Sequence, residues 1–203
     1  MSSRKRYAFF ALLFRMKYIR RWGLMRSVRS ENVAEHSFET AIIAHALAMI
    51  GNVYFEKNYN PDRVALRAIF HDATEIYTGD LPSPIKYHSD EMRDIYKTIE
   101  KKAADKLLDS LPPELGGIYA DYIHGIHGND NDGADEYKLI KAADKLCALI
   151  KCLEETGAGN KEYTSALNFI QNTLDKEGMC ELQYFYENFL PYFNKDIDEQ
   201  GKL

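Results

Sequence analysis

Apolar residues recur at three- and four-residue spacing along nearly the whole chain, with no sustained period-two alternation, so the pattern predicts helices throughout. A first helix is predicted over residues 4–19. A second runs from Val33 to Ile50, with Gly51 as its stop. Asn60-Pro61 combines an N-cap with a first-turn proline and opens a helix that reaches Tyr77. The run Thr78-Gly79-Asp80-Leu81-Pro82-Ser83-Pro84 ends it, because two prolines and a glycine cannot continue a helix. A further helix spans Asp90 to Leu111 and stops at Pro112-Pro113, and a short one follows to His127. After a polar loop from Gly128 to Gly133, a long helix covers Ala134 to Thr156 and ends at Gly157. The last two helices are predicted over residues 160–175 and 179–190. No repeat or low-complexity linker interrupts the series, so the expected architecture is all-α, a single helical domain over residues 1–203.

Composition adds limits. A chain of 203 residues that is 45% apolar can bury one sizeable core. The first 29 residues carry nine Lys or Arg and no acid, which leaves 17 bases against 31 acids in the remainder. A basic segment in an acidic protein suits an anionic ligand, although most of those charges read as a solvated helix face. Three cysteines (Cys147, Cys152 and Cys180) without C-x-x-C spacing argue against a disulfide framework or a zinc ribbon, and they suit a reducing cytosol. The apolar run Tyr7–Phe14 is cut off at Arg15, too short for a membrane span and without a cleavage site. The expectation is a cytoplasmic protein with no membrane partner.

The chemistry lies in three separated motifs. His71-Asp72 sits inside Ala68-Ile69-Phe70-His71-Asp72-Ala73-Thr74-Glu75, where a carboxylate beside an imidazole on an apolar face needs compensation, as a metal ion would give. His36 shares a face with Thr40, Ile43, Ala44 and Leu47, so it looks inward, whereas His45 is half a turn away. Asp144 stands in an apolar stripe with Ile140, Ala143, Cys147 and Ile150. Taken singly, His36 reads as a satisfied core histidine and Asp144 as a cap or ion-pair partner. Together they spell H…HD…D, the ligand order of the HD metal-dependent phosphohydrolases. Two imidazoles and two carboxylates suit one divalent first-row ion with open positions, such as manganese, cobalt, iron or nickel, with cobalt or manganese foremost, more than structural zinc. Glu75 follows His71 by four residues and Asp72 by three, on the same face. His88, His124 and His127 lie in or near loops and read as surface residues. Asp80 follows Gly79 in the proline-bounded loop, and Trp22 lies among arginines, where an aromatic surface could meet a base or sugar.

The set Arg21-Trp22-Gly23-Leu24-Met25-Arg26, Glu31-Asn32-Val33-Ala34-Glu35-His36-Ser37, His71-Asp72-Ala73-Thr74-Glu75, Thr78-Gly79-Asp80-Leu81-Pro82-Ser83-Pro84-Ile85-Lys86 and Ala143-Asp144-Lys145-Leu146-Cys147-Ala148 closely resembles the bacterial HD-domain 5′-deoxynucleotidases, from about Phe9 to Phe193. The resemblance implies an HD-domain helical bundle, usually a homodimer, that uses one divalent metal to convert deoxyribonucleoside 5′-monophosphates to deoxynucleosides and phosphate. It implies that His36, His71, Asp72 and Asp144 hold the metal and that His36, Asp72 and Asp144 also border the substrate. Arg21 would orient the phosphate, and Trp22 would sit where a ribose 2′-hydroxyl would intrude. Asp80, Leu81, Pro82 and Ser83 would form the substrate loop, with Asp80 on the deoxyribose. Ser83 stands where close relatives often have threonine, which keeps a hydroxyl. Glu75 is the candidate general acid or base, or else a carboxylate that orients a ligand histidine.

Three other readings compete. Another HD phosphohydrolase acting on deoxynucleoside triphosphates or cyclic nucleotides would need a further cluster of positive groups, and none stands out beyond the N-terminal segment. A non-catalytic nucleotide-binding protein would have no use for an intact ligand quartet. A nucleic-acid binder would show its bases as one stripe, but here they are interleaved with core-like apolar residues. No nucleic-acid partner is therefore expected.

Overall fold

The computed structural model describes residues 6–86, 88–124 and 131–201, without the side chains of residues 83, 84, 131 and 132. Among the described residues the only extended pairing is an antiparallel bridge between Arg20 and Asn32, and everything else regular is helical.

The chain opens with α1 (Phe9–Leu13), which passes into a 3-10 turn over Phe14–Tyr18. The helix predicted over residues 4–19 is thus short and tightened. Its N-terminus has no side-chain cap and no acid in its first turn, so little stabilises a longer α-helix there. Next comes α2 (Val33–Tyr54), entered through a capping box in which Asn32 accepts from the Ala34 and Glu35 amides while Glu35 reaches back to the Asn32 N–H.

Gly51 does not stop this helix as predicted. A Cβ there would lie 2.6 Å from Tyr59 Cε2, so the glycine lets the returning chain approach. Asn52 fixes that return by accepting from the Tyr59 N–H (2.8 Å) and donating to its carbonyl (2.9 Å). In G51A the clash with Tyr59 should outweigh the gain in helix propensity, because overpacking typically costs 1–3 kcal/mol against about 1 recovered. A net destabilisation of about 1 kcal/mol is expected in urea unfolding, with unchanged activity per folded molecule.

The third helix, α3 (Pro61–Phe70), ends seven residues earlier than its pattern predicts. The chain makes tight turns over residues 71–74 and resumes as α4 (Glu75–Thr78). His71 helps cause the break, since its Nδ1 lies 2.7 Å from the Ala68 carbonyl and competes with the helical ladder for it. The proline loop breaks at Gly79, where φ is +70°, and its end folds into the single turn α5 (Ser83–Lys86). Then follow α6 (Asp90–Leu108), capped by Ser89, and α7 (Pro113–Ile123). The long α8 (Asn131–Gly157) starts three residues before Ala134, and the rest of the predicted polar loop, with His127, lies outside the described residues. A 3-10 turn over Lys161–Tyr163 leads into α9 (Thr164–Asp175), and α10 (Cys180–Asn188) is followed by a 3-10 turn over Leu190–Asn194 and α11 (Ile197–Gln200).

Two apolar clusters hold these elements. The larger joins α2, α3, α8, α9 and α10 through Leu47, Val64, Leu139, Leu146, Leu149, Leu174 and Leu182. Burial of each such side chain contributes roughly 1.5–3 kcal/mol. The smaller joins α1, α6 and α7 through Phe9, Leu107 and Ile123 and includes Val33 and Ala73. Val33 and Ala73 border the two motifs that carry His36 and His71, so the functional side chains emerge where the clusters meet. Among the described residues no helix is long and apolar enough to cross a membrane.

Candidate active site

Three elements bring the four expected ligands together. His36 sits on the first turn of α2 and is fully buried, as its apolar face predicts. His71 and Asp72 come from the break after α3, and Asp144 from the middle of α8. His36 Nε2 lies 3.1 Å from Asp144 Oδ1 and 3.7 Å from Asp72 Oδ2. His71 Nε2 is 3.1 Å from Asp72 Oδ2 and 4.0 Å from Asp144 Oδ1. One donor atom each from His36, His71 and Asp144 fit within 4.8 Å of one another.

These residues fit a divalent cation. Hydrogen bonding to the Ala68 carbonyl puts the His71 proton on Nδ1, so Nε2 carries a lone pair into the cluster. That Nε2 is buried and makes no hydrogen bond, although Asp72 Oδ2 is 3.1 Å away, and such an atom is suited to ligate a cation. Burial works to raise the carboxyls of Asp72 and Asp144, yet the neighbouring histidines hold both well below the usual range. Both are therefore anionic donors. Burial and the Arg21 charge oppose protonation of His36, but its bonds to Asp144 and Glu31 push it up to about 9. The cluster thus attracts positive charge.

Arg21 and Trp22 stand beside the ligands. Among the described residues, Arg21 is the basic residue of the N-terminal segment that turns inward: Nε donates to Glu31 Oε1 at 3.1 Å, and Nη1 lies 3.5 Å from Asp72 Oδ2. Neither contact engages Nη2. Burial disfavours its charge, but Glu31 and Asp72 raise its pKa further, so the guanidinium is permanently cationic. By contrast Arg26 is almost wholly exposed, as a solvated charge should be. Trp22 has a left-handed backbone (φ +59°), uncommon for a bulky residue. Its indole N–H donates to Glu31 Oε2 at 2.8 Å, and its ring meets Tyr163 at 5.3 Å between centroids.

The proline loop closes the other side. Burial raises the Asp80 carboxyl, while Arg21 and the Trp22 backbone N–H, which it accepts from, pull the other way. Leu81 lines an open groove of about 490 Å³ with Tyr77, Thr78 and residues of α6, and Pro82 is half-buried. The Ser83 side chain lies outside the described residues. Glu75 remains on the site side although the helix is broken: it is buried, its Oε2 has no hydrogen-bond partner, and burial with Asp72 and Asp80 nearby pushes it up to about 9. His45 is half-buried, His88 is exposed, and His124 pairs with Asp105 at 3.2 Å.

Sequence reasoning assigns Glu31 no role of its own. It is buried and is the chain's first acid, following 30 residues without one, and that isolation is the signal that marks it.

Comparisons with known proteins give the chain its family. The family model for YfbR-like 5′-deoxynucleotidases matches residues 8–193, which takes in every residue described above as part of the site. The chain belongs to the YfbR-like 5′-deoxynucleotidase family. Curated relatives include the 5′-deoxynucleotidase of Cronobacter sakazakii, 48% identical over 94% of each chain. The 5′-deoxynucleotidase YfbR of Escherichia coli K12 is 48% identical over 96% of each chain. Among solved structures, an HD-domain phosphohydrolase from Listeria innocua is similar with a TM-score of 0.76 at 22% identity, over 91% of this chain and 87% of that one. The cyanophage S-2L HD phosphohydrolase DatZ, bound to dA and one catalytic zinc ion, has a TM-score of 0.63 at 18% identity, over 89% of this chain and 95% of its own. These structural likenesses establish the HD-domain fold.

Proposed function

We infer that this chain is a metal-dependent 5′-deoxynucleotidase that converts deoxyribonucleoside 5′-monophosphates to deoxynucleosides and phosphate. The observation that carries the reading is the placement of a buried guanidinium and an indole, Arg21 and Trp22, against a His/Asp cluster in a member of this family. His36, His71, Asp72 and Asp144 would hold one divalent ion, and their nitrogen and oxygen donors favour cobalt or manganese among the candidates. When bound, such an ion supplies Lewis acidity toward phosphate oxygen and acidifies water.

The chain's own residues do the rest. Arg21 neutralises charge that grows on the phosphate oxygens. Asp80 and the Leu81-Pro82-Ser83 segment border the sugar. Glu75, protonated at neutral pH in its buried setting, can give its proton to the leaving 5′ oxygen. Trp22 fills the space beside C2′, so a 2′-hydroxyl would be crowded or left unpaired and desolvated.

The reading includes a single domain over the whole chain and a cytoplasmic setting, which three free cysteines suit. It includes a homodimer, favoured by the exposed apolar row Phe38, Ile42, Met49 and Val53 on α2. It includes no nucleic-acid partner, since Arg21 is drawn inward instead of displayed.

A phosphate-release assay across nucleotides tests the substrate. dAMP and the other deoxyribonucleoside 5′-monophosphates should be cleaved well, AMP poorly and 3′-monophosphates hardly at all. Trp22→Ala should narrow the ratio of dAMP to AMP. Equal hydrolysis of the two by the unaltered protein would remove the steric role of Trp22, and preference for triphosphates would replace the reading altogether.

A further inference from the structure

We propose that Glu31 is the positioning residue of this site, one carboxylate that sets the phosphate arm, the sugar gate and a metal ligand relative to one another. The proposal rests on the 5′-deoxynucleotidase reading for what those three parts do, and on geometry alone for how they are held.

Three donors converge on this side chain. Oε1 accepts from Arg21 Nε at 3.1 Å and lies 3.4 Å from His36 Nδ1, and Oε2 accepts from the Trp22 indole N–H at 2.8 Å. A carboxylate has lone pairs enough for all three, and no neutral side chain of that size does. The Glu31 carbonyl also accepts from the Arg21 amide at 3.0 Å, next to the bridge between Arg20 and Asn32. The same residue therefore holds both the backbone and the side chains of the Arg21-Trp22 pair.

Each contact has its own consequence. The 3.4 Å approach to His36 Nδ1 is a charge contact that puts a carboxylate behind the imidazole whose Nε2 faces Asp144 and Asp72. On His71 the corresponding nitrogen meets a backbone carbonyl, so Glu31 is the side chain that backs the other imidazole. Binding Arg21 through Nε turns the guanidinium with Nη1 toward Asp72. Binding the indole restricts a side chain whose left-handed backbone is already unfavourable, which keeps the ring in one place beside the site. A desolvated carboxylate is costly, and its retention here is explained by three simultaneous tasks.

Because Trp22 is the chain's single tryptophan, its fluorescence reports this side chain without any turnover. The experiment compares the unaltered protein with Glu31→Gln, Glu31→Asp and Glu162→Gln. It reads acrylamide quenching of Trp22, cobalt affinity by calorimetric titration, and kcat/KM for dAMP and AMP. In E31Q the amide NH2 must face at least one of the donors. Quenching should rise, cobalt affinity or dAMP turnover should fall roughly tenfold to a hundredfold, and the dAMP-to-AMP ratio should narrow. E31D keeps the charge with a shorter reach and should lie between E31Q and the unaltered protein. Glu162 holds exposed Arg26 in the same loop, so E162Q loosens the loop from outside and should leave quenching and the dAMP-to-AMP ratio unchanged.

Unchanged quenching and cobalt affinity in E31Q would overturn the proposal, as would equal effects in E162Q. If E31Q does not fold, quenching and cobalt affinity of E31D equal to those of the unaltered protein would overturn it too. Should the unaltered protein fail to hydrolyse dAMP, the function reading falls, while quenching and cobalt affinity still decide the role of Glu31.

Discussion

His71→Ala is expected to bring phosphate release down to background and to strip the protein of bound divalent metal, with the helical circular-dichroism signal kept. The side chain lies outside both apolar clusters and meets Asp72, Asp144 and the Ala68 carbonyl, so its loss should leave the helix packing intact while it removes a candidate ligand atom. Asp72→Ala should act in the same way, because its carboxylate faces both imidazoles. Metal content by plasma emission, measured beside turnover, checks the point. Chelation of the unaltered protein should mimic both variants, with recovery on adding back a single divalent transition metal. Full activity in a verified metal-free sample would end this account of the cluster.

Arg21→Ala should cut kcat/KM for dAMP about a hundredfold, because loss of one preorganised charge contact at a transition state costs on the order of 3 kcal/mol. Cobalt affinity should fall much less, since Arg21 touches Asp72 but is not itself a donor. Lysine is not expected to restore the rate, because a point charge cannot reproduce contacts made through Nε and Nη1 at once. Removing the guanidinium also leaves Glu31 and Asp72 without their shared counter-charge, so thermal stability must be followed alongside. Undiminished turnover would return Arg21 to the solvated charges of the N-terminal segment.

The convergence of His36, His71, Asp72 and Asp144 is legible in the amino-acid sequence only from the set: an inward imidazole on a helical face, a His-Asp pair in an apolar run and an aspartate in an apolar stripe each have a plainer reading alone, and their order joins them. Other features share one local appearance between two causes. Gly51 at the end of an apolar run looks like a helix stop, and only the approach of Tyr59 shows it is a packing glycine. The pattern of residues 61–77 stays helical across the break because periodicity does not register a side chain that takes the Ala68 carbonyl from the ladder. Glu31 is hidden for a different reason. Its task depends on a bridge that folds residues 20 and 32 together, and a pairing across an irregular loop has no periodic signature.

The loop that follows Trp22 is fastened to the end of α8 and the turn after it. Glu155 accepts from the Val28 and Arg29 amides, Lys151 donates to the Arg29 carbonyl, Asn160 donates to that of Arg26, and Tyr163 meets both Ser27 and the indole. The last candidate ligand is Asp144, yet the region behind it moors the loop that carries Trp22. A minimal catalytic fragment cannot be drawn by cutting after the final ligand. A cut placed just behind Asp144 would leave every candidate ligand in the chain and remove both these fastenings and the share of the larger core that α9 and α10 supply.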